Sequence, residues 1–475
     1  MGEPVGNAGT SSERAADVKE EELRFRIGQR VHAVGNPRRI GTVRYVGEVG
    51  GHAGEWVGID WDDGEGKHDG CVAGVRYFTA RDEKSASLVR SKILTAGISL
   101  VEALHQRYRG ESTKEEEDEM YVLSSGNKRV PIQLLGKNKF EEKFKHFDEM
   151  HGASVSYFGV SSVDPTNVIR SLIPNVKELD LTGSLLSRWQ DVNSICDALP
   201  ALEILDLTDN LMETDIPELT SLKSIQILVL NHCSIAWEKV EILEKCLLSI
   251  EELHLTGNKI RMTMPVPSGP SITHVPGFDS LRLLNLDDNC ISLWDEVLHL
   301  SRLRSLEQLH LNKNMLKKVS YPTNHPLVST QDRCCIAFEK LQCLLLGSNE
   351  INDLASVDSF NLFPSLVDVR LSENPIADPA KGGLPRFVLI ARLAKVKTLN
   401  GSEISARERN ESEIRYVRLV MTKMKLDDPK ELSLQHPRFA ELKALHGLDD
   451  EKPSTGIAGP QKMGAGLICM KWNTD

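Results

Sequence analysis

The chain has 475 residues, of which 40% are hydrophobic and 26% charged, the balance of a soluble globular protein with room for two or three domains. A formal net charge of −11 argues against general nucleic-acid binding, which needs a cationic field, so any anionic partner has to be met by a local basic patch. No apolar run approaches the roughly 18 residues of a membrane span, and nine cysteines without CxxC pairs fit reduced, mostly buried thiols. A cytoplasmic protein with no membrane partner is expected.

In chain order, residues 1–23 are polar and acidic and predict a disordered arm, because they cannot bury enough surface to offset ordering entropy. Residues 24–95 alternate short β-like stretches ("QRVHAV", "IGTVRYVGEV", "EWVGIDWD", "GVRYF") with glycine, which predicts a small all-β module. Residues 96–150 read as a linker: a helix with Ile98, Val101, Leu104 and Tyr108 at helical spacing, then the acidic run 111–119.

From 151 to 400 the frame L-x-x-L-x-L-x-x-N recurs, as in "LEILDLTDN" (202–210), "LRLLNLDDN" (281–289) and "LVDVRLSEN" (366–374). Two weaker copies put Ser184 and Cys233 at the asparagine position. This is a leucine-rich repeat array. Its leucines point into a solenoid of short parallel strands, and the ninth-position amide satisfies backbone groups where the chain turns inside. The stretch "SVSYFGV" (154–160) reads as a degenerate first repeat, and the charged helix within 401–445 as a cap over the last one. Trp189, Trp237 and Trp294, each followed three residues later by valine, predict packing on the convex side. The strand position between the two inner leucines reads Asp180, Asp206, Val229, His254, Asn285, His310, Leu345, Arg370. Such a mixed column suits a protein partner better than a small molecule, and Asp206, Val229, His254 and Asn285 are the expected contacts. His254 and His310 stand two repeats apart, too far to share a metal.

The stretch "GEGKHDGCVAGVRYF" (64–78) admits three readings. A phosphate loop needs GxxxxGK[ST] before a helix, whereas here Lys67 precedes His68 and another strand. A zinc site from His52, His68 and Cys71 lacks paired ligand spacing. A groove lined by Trp56, Trp61, Tyr77 and Phe78 around a glycine-rich loop bearing Lys67 fits better, with filling of a small barrel core as the alternative use of the four rings.

With G-x-W-x-G before "GKHDG" and R-Y-F after it, this module resembles the CAP-Gly domain, whose signature is GKNDG. The resemblance implies recognition of the acidic, aromatic-ended tail of α-tubulin and similar Glu-Glu-Tyr/Phe endings. It implies that Trp56 and Trp61 line the cavity, that Gly66, Lys67, His68, Asp69 and Gly70 form the loop, and that Tyr77 and Phe78 support it. Lys67 would neutralise the carboxylates. His68 replaces the usual asparagine, so binding that strengthens as the ring protonates is expected.

A CAP-Gly module followed by leucine-rich repeats, with the "KTLNGSEIS" cap, resembles the tubulin-folding cofactor E family. The resemblance implies a non-enzymatic chaperone, without cofactors, that binds α-tubulin and acts with other tubulin-folding cofactors in assembly or disassembly of the α/β heterodimer. A microtubule-associated adaptor whose repeats carry cargo is the alternative. The family's ubiquitin-like domain of about 80 residues exceeds what 446–475 can hold, so that stretch is expected to be a flexible tail, a truncated ubiquitin-like region.

Overall fold

The computed structural model describes residues 25–109, 121–123, 129–131, 147–261, 278–322, 336–424 and 435–448. The expected arm at 1–23, the acidic run 111–119 and the expected tail from 449 onward lie outside the described residues. The chain divides into two compact units, residues 1–97 and 98–475.

In the first unit, β1 (Arg30–Ala33), β2 (Asn36–Val49), β3 (His52–Trp61), β4 (Cys71–Val72), β5 (Val75–Arg76), β6 (Ala86–Val89) and β7 (Leu94–Thr95) follow in order. Five of them form an antiparallel sheet in the order β6-β3-β2-β1-β7, while β4 and β5 pair as a separate hairpin. Val31, Val43, Val57, Ile59, Trp61 and Leu94 close one small core with Phe25. Period-two alternation along β3 puts Val57, Ile59 and Trp61 on that inner side. Arg30 is buried and holds Asp62 through both guanidinium nitrogens, which anchors the end of β3.

The second unit opens with β8 (Ile98–Ser99) and α1 (Leu100–Arg109), then the hairpin β9 (Tyr121–Leu123) and β10 (Arg129–Pro131). Here the structure corrects the linker expectation for the helix. Leu100, Ala103 and Leu104 are buried in the solenoid core, and Asp164 caps α1 by accepting from the Val101 N–H at 2.8 Å. Tyr108 accepts from the Ser154 N–H at 2.8 Å, so α1 closes the first strand rather than leading to it. Next come β11 (Gly152–Ser154), β12 (Val160–Ser162), α2 (Thr166–Leu172), β13 (Glu178–Asp180), α3 (Trp189–Ala198), β14 (Ile204–Asp206), β15 (Ile227–Val229) and α4 (Trp237–Glu244). They are followed by β16 (Glu252–His254), β17 (Leu283–Asn285), α5 (Trp294–Leu298), β18 (Gln308–His310), β19 (Cys343–Leu345), α6 (Leu354–Ser359), β20 (Asp368–Arg370), α7 (Arg386–Arg392), β21 (Thr398–Leu399) and β22 (Ser402–Glu403). β11 and β13 to β22 make one eleven-stranded sheet, parallel up to β21.

The leucines flanking each strand are buried, and the ninth-position asparagines lie beneath them. Asn314 donates to Leu286 O at 3.0 Å and Leu311 O at 3.2 Å and accepts from the Ile291 N–H at 3.1 Å, and Asn289, Asn349 and Asn374 do the same in their repeats. Where the frame lapses the ladder lapses too. Ser184 Oγ is buried without a partner, as is Asn210 Oδ1 in the intact repeat after it, and Cys233 offers only a thiol, to Leu207 O and Asn231 O. The residue before each ninth position is left-handed: Gly183, Asp209, His232, Gly257, Asp288, Lys313, Ser348 and Glu373. A non-glycine residue held there costs about 1 kcal/mol, and the ladder holds it in place.

Trp189, Trp237 and Trp294 open α3, α4 and α5 and are buried, with Trp189 and Trp294 donating to Glu213 O and Ser320 O. The far end is closed by α8 (Ala406–Met424) and α9 (Phe439–Leu445). Arg392, 2% exposed, pairs with Asp358 of α6 and donates to Gln435 O. Beside it, burial drives the His436 imidazole down to about 4, so the neutral ring accepts from Tyr416 OH at 2.8 Å. Glu413 takes His446 at 2.9 Å with Arg409 and Arg438 nearby.

Replacing Asn314 by alanine leaves the buried Ile291 N–H without its acceptor and takes one of two amide donors from the Leu286 and Leu311 carbonyls, which keep Asn289 and Asn349. Urea unfolding of Asn314→Ala is expected to lose roughly 1–3 kcal/mol, against less than about 0.5 kcal/mol for an alanine at exposed Lys313.

Candidate functional site

The loop between β3 and β4 is held by backbone contacts that only glycine allows. At Gly66 a Cβ would stand 2.4 Å from Ala86 O and 2.5 Å from Lys84 O, so the loop lies directly on the start of β6. Lys67 N–H donates to Ala86 O at 2.6 Å, and His68 exchanges bonds with the same residue. Gly70, at φ +96°, presses against the Phe78 carbonyl, where a Cβ would stand 2.1 Å away. Two side chains then reach two residues ahead along the main chain. His68 Nδ1 accepts from the Gly70 N–H at 3.0 Å, and Asp69 Oδ1 accepts from the Cys71 N–H at 3.1 Å. Arg76 of β5 holds the other Asp69 oxygen at 2.7 Å, and that bond lowers the carboxyl pKa below its ordinary value.

With the loop so fixed, the Lys67 ammonium is exposed and has no ion pair among the described residues. Residues 25–97 carry eleven Lys/Arg against nine Asp/Glu in a chain of net charge −11, the local basic balance that an anionic ligand requires. The aromatic residues divide into two sets. Trp56 and Tyr77 are half-buried, and Tyr77 ties the end of the β4–β5 hairpin to the turn between β2 and β3: its hydroxyl accepts from the Gly50 N–H at 2.9 Å while its ring meets Tyr45 edge-on at 5.3 Å. One face of Trp56 is covered by the Arg90 guanidinium, 3.9 Å from the ring centre. Phe78 is buried beneath the loop, edge-on to His68 at 6.2 Å. Trp61, expected to line the cavity, does not. It is 2% exposed in the core and supports the sheet from within.

On the open face of the long sheet, Asp206, Val229, His254 and Asn285 are successive partners across β14 to β17, in one column that runs from Asp180 to Arg370. All four are half-buried. Asp206 Oδ1 accepts from the Thr208 N–H at 2.8 Å, Asn285 Oδ1 from the Asp287 N–H at 2.9 Å, and His254 lies 3.4 Å from Glu252. The sequence reading missed the parallel column two residues earlier, Ile204, Ile227, Glu252 and Leu283, which shares the same face because strand side chains alternate. Ile204, Ile227 and Val229 therefore form an apolar patch flanked by Asp206 and Glu252. His254 and His310 stand on strands separated by β17, and among the described residues no three His, Cys, Asp or Glu are grouped to hold a metal.

A model of the CAP-Gly domain matches residues 27–94. The chain is 54% identical over 445 residues to tubulin-folding cofactor E of Arabidopsis thaliana, covering 94% of this chain and 82% of the relative. The chain belongs to the tubulin-folding cofactor E family. Tubulin-specific chaperone E of Danio rerio is 31% identical across 90% of this chain and 80% of its own length, and the human protein of that name 27% identical over the same shares. At 94% of the chain, the first of those alignments takes in parts of both units of this cofactor E family member. Three of its thiols are quiet: burial pushes Cys196, Cys233 and Cys343 up to about 12, which suits packing and not nucleophilic chemistry. Among the described residues no helix is long and apolar enough to cross a membrane.

The two tryptophans should separate by experiment. Trp61→Ala is expected to cost about 3–5 kcal/mol and to unfold the first unit, read by the loss of near-ultraviolet circular dichroism from its aromatic residues. Trp56→Ala is expected to keep that spectrum's folded baseline and its melting cooperativity.

Proposed function

We propose that this chain is a tubulin-folding chaperone that holds α-tubulin at two places. The first unit takes the acidic, aromatic-ended tail on the loop of Gly66, Lys67, His68, Asp69 and Gly70, with Trp56 and Tyr77 beside it and Trp61 and Phe78 as its packed support. The open sheet face takes part of the folded body through Asp206, Val229, His254 and Asn285. Together with other tubulin-folding cofactors it assembles or dismantles the α/β heterodimer in the cytoplasm, without catalysis of its own. The observation that carries the first contact is the exposed, unpaired Lys67 on a loop whose glycines leave no room to rearrange. Because the loop backbone is already ordered, only the Lys67 side chain has to be ordered on meeting a flexible carboxylate tail. The second contact is supported by the apolar, half-buried centre of the sheet face. Two contacts on one partner raise the effective concentration of the second once the first has formed.

Lys67→Ala is expected to weaken binding of a peptide ending in Glu-Glu-Tyr by roughly 1–3 kcal/mol in calorimetry, with circular dichroism unchanged; undiminished affinity contradicts the role of Lys67. Changing Asp206, Val229, His254 and Asn285 together to alanine is expected to abolish capture of α-tubulin that lacks its tail, while tail-peptide binding persists. If removal of the tail alone eliminates all binding, the sheet face is not a tubulin surface, and an adaptor that holds polymer through the first unit becomes the better reading.

A further inference from the structure

The geometry points to His68 as a positioning residue that shapes the tail-binding loop only while its ring is neutral, so that acidification releases the tail. The inference rests on the reading of this loop as the tail site and concerns its regulation. Two roles compete for one imidazole. As a cation it would attract carboxylates; as a neutral base its Nδ1 accepts the Gly70 N–H at 3.0 Å. The same nitrogen cannot do both, since a proton on Nδ1 would face the proton on Gly70 N across that distance.

Gly70 has little freedom to find another acceptor. Its backbone is left-handed and packed so tightly on the Phe78 carbonyl that a methyl group there would overlap it, and its own carbonyl is committed to the Tyr77 N–H at 3.0 Å. Of the charged groups around the ring, Lys67 disfavours protonation and Asp69 favours it, but Asp69 is engaged by Arg76 and by the Cys71 N–H. The other elements packed against His68 present the Phe78 ring and the Ala86 backbone, neither of them charged. Burial is the largest influence and lowers the imidazole pKa. The sign follows: the loop geometry is fully present above about pH 6.5, the ordinary histidine value, and is lost as pH falls below it through the lowered value. This reverses the expectation drawn from charge alone, in which protonation strengthens binding. An asparagine at this position would offer Oδ1 to the same N–H and would not titrate.

The test uses the full chain, a fluorescent peptide ending in Glu-Glu-Tyr, and the variants His68→Asn and His68→Ala, with ¹⁵N-histidine NMR on the same samples. Wild-type affinity is expected to fall at least about threefold between pH 7.5 and pH 5, in step with protonation of the His68 ring. His68→Asn should bind at pH 5 as it does at pH 7.5, whatever its affinity, and His68→Ala should bind weakly throughout. At pH 7.5 the Nδ1 resonance should be that of an unprotonated nitrogen. Affinity that rises on acidification, a His68→Asn profile like the wild type's, or a protonated Nδ1 at pH 7.5 overturns the proposal. If the peptide fails to bind even at pH 7.5, the tail-site reading falls on its own, and Gly70 amide exchange decides the positioning role. Exchange faster in His68→Ala but not in His68→Asn supports that role, and equal exchange in both overturns it.

Discussion

A side chain that reaches back to satisfy its own main chain is the interaction on which the rest of this molecule depends. Inside the solenoid it is the ninth-position carboxamide, which bonds carbonyls of two repeats and an N–H of the preceding one, as Asn314 does with Leu286, Leu311 and Ile291. Each buried backbone group left without such a partner would cost about 1–3 kcal/mol, a sizeable part of what the leucine burial of one repeat contributes. In the first unit the same device operates at the surface, where His68 and Asp69 bond the N–H groups two residues ahead and fix the loop that carries Lys67. The array uses the device for stacking, the loop for presentation.

The two surfaces ask for different ligands. The loop sets an unpaired cation beside half-buried aromatic rings on a stretch where basic residues outnumber acidic ones, eleven to nine across residues 25–97. That combination suits a flexible acidic tail, which gains charge pairing without requiring a shaped cleft. The sheet face instead sets Ile204, Ile227 and Val229 between Asp206 and Glu252, a mixed surface that needs a folded counterpart to bury it. In the proposed function one partner meets both demands.

Much of this was legible in the sequence because a few chemistries repeat without variation. The leucine frame and its asparagine announced both the parallel strands and the ladder, and its lapses at Ser184 and Cys233 announced where the ladder breaks. Other features were present but weighed wrongly. Trp56 and Trp61 stand five residues apart on one strand, which places them on opposite faces, so only one of them could meet a ligand. In α1, Leu100, Ala103 and Leu104 mark the buried stripe, a cap's signature within a segment whose acidic sequel suggested a linker. His68 was read for its charge, and its acceptor role became visible only with the Gly70 N–H in place. Nothing in the sequence pairs those two atoms, because a turn's direction is set by contacts with Phe78 and Ala86 far along the chain.

The central claim is that one partner, α-tubulin, engages both units through separable contacts. Hydrogen–deuterium exchange of the full chain, measured with intact α-tubulin and with α-tubulin lacking its acidic tail, tests it most directly. Protection of residues 66–78 with the intact partner alone, together with protection of strands β14 to β17 by both forms, is the predicted result. Equal protection of residues 66–78 by the two forms, or an unprotected sheet face in both, would contradict it.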